Sequence, residues 1–187
     1  MANQNAPFGF RLDRVLEGLS PNYGFYTGLI ASNNANAIYT GDTLKPISAG
    51  YFDVMTTTAA ACGGVAAGFN WVSKAAGGRV WRPYWPGTSA DVLTDVSVKI
   101  EINPQSVFLV QASSTAITQT QVGLNATFVS GSGNTYSGVS AFALDSTTIS
   151  TLTTLPFTIY RVLTTPDSDP TSAYNTVEVI FNRLTPT

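Results

Sequence analysis

The chain has 187 residues, 44% of them apolar and only 11% charged, with a formal net charge of −2 and a pI near 4.8. Slight acidity and scattered Lys and Arg exclude a phosphate-backbone binder, which needs a cationic stripe to displace counterions. The lack of any histidine excludes Ser-His-Asp and Cys-His nucleophile systems, imidazole zinc sites and histidine proton shuttles.

Residues 1–20 read as an extended N-terminal arm. Asn3 to Pro7 is polar and ends in a proline that pushes Ala6 toward extended geometry. Phe8-Gly9-Phe10 then sets two rings around a glycine, and Arg11, Asp13, Arg14 and Glu17 concentrate charge. Solvated tails seldom carry such rings, so Phe8, Phe10, Arg11 and Arg14 are expected to dock on a partner, and the arm to be dispensable for folding. No basic region followed by an apolar one opens the chain, so no secretory signal is visible.

Residues 21–187 read as one all-β domain. Short β-rich runs are expected at Tyr23 to Ile30, Asn36 to Tyr39, Thr43 to Pro46, Tyr51 to Thr57, Val65 to Ser73, Arg79 to Tyr84, Asp95 to Ile102, Ser106 to Gln111, Ala126 to Val129, Val139 to Leu144, Leu155 to Leu163 and Thr176 to Leu184. Alternation is clearest where Val177, Val179 and Phe181 oppose Glu178 and Asn182, and where Val96, Val98 and Ile100 oppose Asp95, Ser97 and Lys99. Asn33-Asn34-Ala35-Asn36, Gly77-Gly78, Asn103-Pro104, Gly131 to Asn134 and Pro166 to Pro170 supply the turns. Only Gln119 to Ala126 hints at a helical turn, so less than a tenth of the chain should be helical. Many short strands with turn chemistry between them imply a β-sandwich or a jelly-roll or barrel-like fold. No run of eighteen apolar residues exists to span a membrane as a helix.

The chemistry available is thin. The single cysteine, Cys62, follows a run of alanines and reads as a small buried apolar residue. Neither a Gly-x-Gly-x-x-Gly nor a P-loop pattern occurs. Asp91 with Asp95, and Asp167 with Asp169, are the local carboxylate pairs that a glycosidase could use, but each sits where Asp ordinarily caps a turn. A calcium site at Asp167 and Asp169 lacks further donors. Asn125-Ala126-Thr127 matches a glycosylation acceptor only by pattern. No cofactor or metal is implied.

The densest side-chain cluster is aromatic: Trp71, then Trp81-Arg82-Pro83-Tyr84-Trp85-Pro86-Gly87. Trp71 is expected in the core. Pro83 and Pro86 keep Tyr84 and Trp85 out of a central strand, so Trp81, Tyr84 and Trp85 are expected to form an interface, either between copies of the chain or toward a larger partner, with the core an equal alternative for Trp85. A truncation such as Trp85→Ala should then weaken association.

Several segments, in order, resemble the head-decoration (cement) and related minor capsid proteins of tailed bacteriophages. They are Met1-Ala2-Asn3 through Ala6-Pro7-Phe8-Gly9-Phe10-Arg11, Gly64-Val65-Ala66-Ala67-Gly68-Phe69, Tyr84-Trp85-Pro86-Gly87-Thr88, Val107-Phe108-Leu109-Val110-Gln111-Ala112 and Val122-Gly123-Leu124-Asn125-Ala126. The resemblance runs to about residue 130, and beyond it only a strand-loop-strand ending is similar. Where the family carries an acidic Asp-Asp-Pro-type turn, this chain has Ile102-Asn103-Pro104-Gln105, which keeps the turn and removes its charge.

The resemblance implies a non-enzymatic virion protein, made in the bacterial host cytoplasm and bound to the outer capsid surface. Its partners would be the major capsid protein and further copies of itself, a trimer in preference to a dimer, without direct nucleic-acid or membrane contact. The alternative is a carbohydrate- or receptor-binding module of a phage tail, with Trp81, Tyr84 and Trp85 as a stacking surface. A carboxylate-only glycosidase ranks last.

Overall fold

The computed structural model describes residues 2–16, 24–56, 62–87 and 91–182. Glu17, and the expected strand limits at Tyr23, Thr57 and Leu184, lie outside them. The protein is all-β and sandwich-like: among the described residues fifteen strands pair antiparallel, and the helical segments are two three-residue 3-10 turns, Ser48–Gly50 and Gln119–Gln121.

A five-stranded sheet has the order β1-β10-β15-β14-β11. Its members are β1 (Arg11–Val15), β10 (Ser106–Gln111), β15 (Thr176–Phe181), β14 (Phe157–Val162) and β11 (Asn125–Ala126). A six-stranded sheet runs β2 (Tyr26–Ile30), β9 (Val96–Glu101), β6 (Gly64–Ser73), β4 (Thr43–Pro46) and β5 (Phe52–Val54), with β7 (Gly78–Arg82) also paired to β6. This sheet curls until its ends meet at a bridge between Leu29 and Tyr51. The remaining strands form two short pairs, β3 (Ile38–Tyr39) with β8 (Tyr84–Trp85) and β12 (Phe128–Val129) with β13 (Ala143–Leu144).

Alternation places the core. Val96, Val98 and Ile100 of β9 are fully buried, while Asp95, Ser97 and Lys99 between them face outward and are partly exposed. Val177 and Val179 are likewise buried. Their neighbour Glu178 points to the opposite face and is nevertheless 1% exposed, because two arginines close over it. Arg14 of β1 donates to both carboxylate oxygens, at 2.8 and 2.6 Å, and Arg161 of β14 donates to one of them. Burial would raise the Glu178 carboxyl, but the hydrogen bonds from Arg14 and then Arg161 outweigh it and hold the carboxyl below its ordinary 4.5. Its contribution to stability is therefore present above that value and lost as the pH falls through the lowered one.

The N-terminal segment corrects the arm reading. Phe10 is 2% exposed, stacks on Phe157 at 4.2 Å between ring centroids and meets Phe128 edge-on at 6.3 Å. Its N–H donates to the Gly41 carbonyl at 2.9 Å. Gly9, at φ +75°, makes the bend, and a Cβ there would come within 2.4 Å of Ser140 Cβ. Residues Arg11–Val15 pair with β10. Farther forward, the Asn3 amide donates to the carbonyls of Asp169, Ser172 and Ala173 at 2.9 to 3.2 Å and accepts from the Asp169 N–H. Gln111 bonds the backbone at Gln4 and Ala6. The segment is thus stitched to the domain along its length. Charge alternating with isolated aliphatics concealed an edge strand.

Removing residues 2–15 strips Phe10 from the core, leaves Glu178 one arginine and exposes β10. We expect the truncated chain to lose its cooperative thermal transition, as followed by circular dichroism. A melting curve like that of the intact chain would restore the independent arm.

Candidate functional site

The expected site residues separate into three environments. Phe10 is core and Arg14 is an internal ion-pair partner, so neither is available to a partner as the arm reading required; Arg14 is partly exposed and also contacts Asp13 and lies 6.0 Å from the Tyr160 ring centroid. Phe8 is half-buried and Arg11 is exposed, which leaves these two from the original four at the surface.

The aromatic cluster divides in the same way. Trp85 is fully buried, packs edge-on against the buried Trp71 with centroids 5.5 Å apart, and donates from its indole to the Asn34 carbonyl at 3.3 Å. It is a core residue, which corrects its assignment to an interface: a ring enclosed on all sides cannot anchor a second chain. Tyr84 is half-buried and stacks on Tyr39 at 5.5 Å. Trp81 alone of the three faces solvent, at 64% exposure. Pairing decides the difference. Trp81 lies on β7 opposite Asn70 on the outer face of the sheet, whereas Trp85 lies beyond Pro83 on β8, opposite Ile38.

Trp81 is held by backbone geometry. β6 bulges against β9 between Ala66 and Gly68, and Gly68 has φ +154°. A Cβ on Gly68 would lie 2.9 Å from the indole nitrogen and 3.2 to 3.3 Å from two ring carbons. The indole therefore rests against bare backbone and presents its remaining surface outward. Across the sheet, register aligns Trp81, Asn70, Ser97 and Leu29 in one row, and Gly68, Lys99 and Thr27 in the next. Arg79 donates to the Asn70 side-chain oxygen at 2.7 Å, and Lys99 donates to the Thr27 hydroxyl at 2.7 Å.

Three of the four paired carboxylates hold hydrogen bonds within the fold. Asp91 accepts from the Ser73 hydroxyl and the Ala75 N–H at 2.7 to 2.8 Å; the Ala75 N–H, then the Ser73 hydroxyl, hold its carboxyl below the ordinary range. Asp95 accepts from Tyr51 at 2.7 Å and from the Ser32 N–H at 3.2 Å. Asp169 accepts from the hydroxyl and N–H of Thr171, which lower it too. Asp91 and Asp169, kept ionised in this way, do not supply the proton a general acid needs. Among the described residues, no three of His, Cys, Asp and Glu gather to hold a metal ion. Cys62 is half-buried and packs against the core, and burial pushes its thiol up to about 12, which disfavours the thiolate that reactivity requires. Asn125 is 8% exposed and its amide donates to the Leu152 carbonyl, which removes it as a glycan acceptor.

Sequence reasoning missed Asp42. It is 1% exposed and borders a cleft of about 330 Å³ that Asn36, Tyr39, Thr56, Ser130 and Ser132 also line. One oxygen accepts from the Tyr39 N–H at 2.8 Å, and the other has no hydrogen-bond partner of ordinary geometry. Burial pushes the carboxyl up to about 6, against the pull of the nearby Ser140 hydroxyl and the Tyr39 N–H. Nothing in Thr40-Gly41-Asp42 as a sequence signals this; it follows from how residues 9, 41 and 140 meet.

No family model, curated protein or solved structure matches this chain.

A group raised above its ordinary 3.8 stabilises the fold at low pH and loses that contribution as the pH rises through about 6. Asp42→Asn, which cannot titrate, should melt higher than the parent at pH 7.5 and lose that advantage by pH 4. The change across this window should be about 2 kcal/mol. Thermal unfolding of both proteins at the two values checks it, and a difference that does not move with pH would contradict it.

Proposed function

We propose that this chain is a structural virion protein that binds the outside of a phage capsid and stabilises it by bridging capsid subunits. The observation that carries this reading is where the exposed apolar side chains lie. They occur on separate elements: Tyr26 and Leu29 on β2, Trp81 on β7, Leu93 in a later loop, Val129, Tyr136 and Val139 on β12 and in the loop after it, Leu152 before β14 and Tyr160 on it. A protein that meets neighbours on several sides has this distribution, whereas a small-molecule enzyme gathers such groups in a concave pocket.

Tyr136 is the side chain with the least internal role. It is completely exposed, yet its loop is fixed: Asn134 accepts from the N–H groups of Tyr136 and Ser137 and pairs with Val139 and Gly138 through the backbone. A rigidly presented tyrosine costs little conformational entropy to bury. The low charge of the chain suits the same role, because neutral polar groups cost far less to cover than charged ones. Phe8 and Arg11 also remain at the surface, as do Trp81 and, in part, Tyr84. Copies of the chain would associate as a trimer, in preference to a dimer, at positions where capsid subunits converge, and repetition over the shell would turn modest contacts into large resistance to rupture.

Sedimentation with undecorated shells of the cognate major capsid protein tests the proposal. The intact chain should bind saturably, and Tyr136→Ala should weaken binding at least tenfold, the scale of a hot-spot truncation of about 2 kcal/mol. Failure of the folded chain to bind the shell at micromolar concentration would overturn it.

A further inference from the structure

Beyond any role in a shell, we propose that the outer face of the six-stranded sheet around Trp81 is a binding site for acidic saccharide, with the indole as stacking platform and Arg79 and Lys99 as the cations that meet its carboxylate or sulfate groups.

Three observations carry this. First, the ring is both exposed and fixed. Gly68 lets it rest against the backbone, so a ligand finds a flat hydrophobic surface already in place. A pyranose ring offers a matching face of C–H groups, while its hydroxyls project sideways. Second, the sideways positions hold hydrogen-bonding groups that are themselves oriented. Asn70 is positioned by Arg79, which leaves its amide N–H groups to donate, and Lys99 is positioned by Thr27, which leaves its ammonium two further N–H groups. Ser97 lies between them in register. The four strands from β7 to β2 span roughly 14 Å at ordinary strand spacing, a width that takes more than one sugar ring.

Third, the charge of this face differs from that of the molecule. The chain as a whole carries −2, yet Arg79 and Lys99 stand on this face together. The carboxylates nearest in register on β9 are already engaged: Asp95 holds Tyr51 and Ser32, and Glu101 is 6% exposed and accepts from the Ser106 hydroxyl and the Asn103 N–H. Among the described residues neither Arg79 nor Lys99 forms an ion pair, so an anion meets two cations free to make charge-assisted bonds to it, which are the strong ones.

Two other occupants fit less well. The centre of a protein interface is depleted in charge and gathers several apolar groups, whereas this face sets one ring and Leu29 among Arg, Lys, Asn, Ser and Thr. Single-stranded nucleic acid is held by successive stacking rings along a cationic groove, and this face has one ring and two cations.

Affinity electrophoresis of the full chain through gels containing polygalacturonate, alginate or chondroitin sulfate, with neutral dextran as control, tests the site. Retardation is expected on at least one acidic polysaccharide and not on dextran. Trp81→Ala should abolish it, and Arg79→Gln and Lys99→Gln should each weaken it at least threefold and reduce its dependence on salt. All three residues are surface groups, and an unchanged melting temperature shows that each variant is folded. Trp71 and Trp85 being buried, the emission of Trp81 should also shift to the blue and lose accessibility to iodide as ligand is added. Retardation by none of the acidic polysaccharides, or retardation that survives Trp81→Ala, would overturn the proposal. So would binding of oligothymidylate in place of saccharide, or self-association that Trp81→Ala removes while polysaccharide has no effect.

Discussion

The core holds a linked set of aromatic rings that come from distant parts of the chain, and Phe10 is the member supplied from the N-terminal side. It stacks on Phe157, which stacks in turn on Phe181; it meets Phe128, which stacks on Phe142; and Phe181 meets Phe108 edge-on. One hydrophobic cluster runs from these rings to Ile30, Val98 and Ile100 inside the curled six-stranded sheet. A large aromatic side chain at such a junction is worth several kcal/mol through the area it buries and the cavity its loss would leave. The segments on either side of it follow from that insertion: the bend at Gly9 before it, and after it the pairing of β1 with β10 and the reach of Arg14 across β10 to Glu178.

That arrangement determines which parts of the surface are free to act. A segment committed to the core and to an internal ion pair has little left for a partner, so recognition falls to side chains the fold presents and does not use. Tyr136 and Trp81 are the clearest of these, and they are presented by different devices. The Tyr136 loop is held by side-chain bonds from Asn134, and the Trp81 ring is seated by a glycine in a bulged strand. Both are rigid, and rigidity lowers the ordering cost that any binding event must overcome.

Much of the fold was legible because period-two alternation survives wherever one face is covered. Thr43–Pro46 and Ser106–Gln111 fall where the sequence places them, and β9 and β15 lie within their expected runs. What the pattern could not show were the effects of long-range contacts. Glu178 reads as a solvent-facing residue until Arg14 and Arg161 cover it. Arg11 to Val15 carries too little alternation to announce an edge strand, since an edge needs only Leu12 and Val15 turned inward. The aromatic run from Trp81 to Trp85 reads as one cluster, yet Pro83 separates two strands that belong to different pairings, and this sends Trp85 inward and leaves Trp81 outside. Asp42 was silent because its burial depends on residues nearly a hundred positions away.

The central claim is that the N-terminal segment is a working part of the folded core. Amide hydrogen exchange of the intact protein at neutral pH addresses it without altering any residue. The inward, hydrogen-bonded amides of β1 and the Phe10 N–H should exchange as slowly as those of Phe108 in β10 and Val179 in β15, all opening only with global unfolding. Rapid exchange from residues 10–15 while β10 and β15 stay protected would contradict the account and return the segment to the role of a detachable arm.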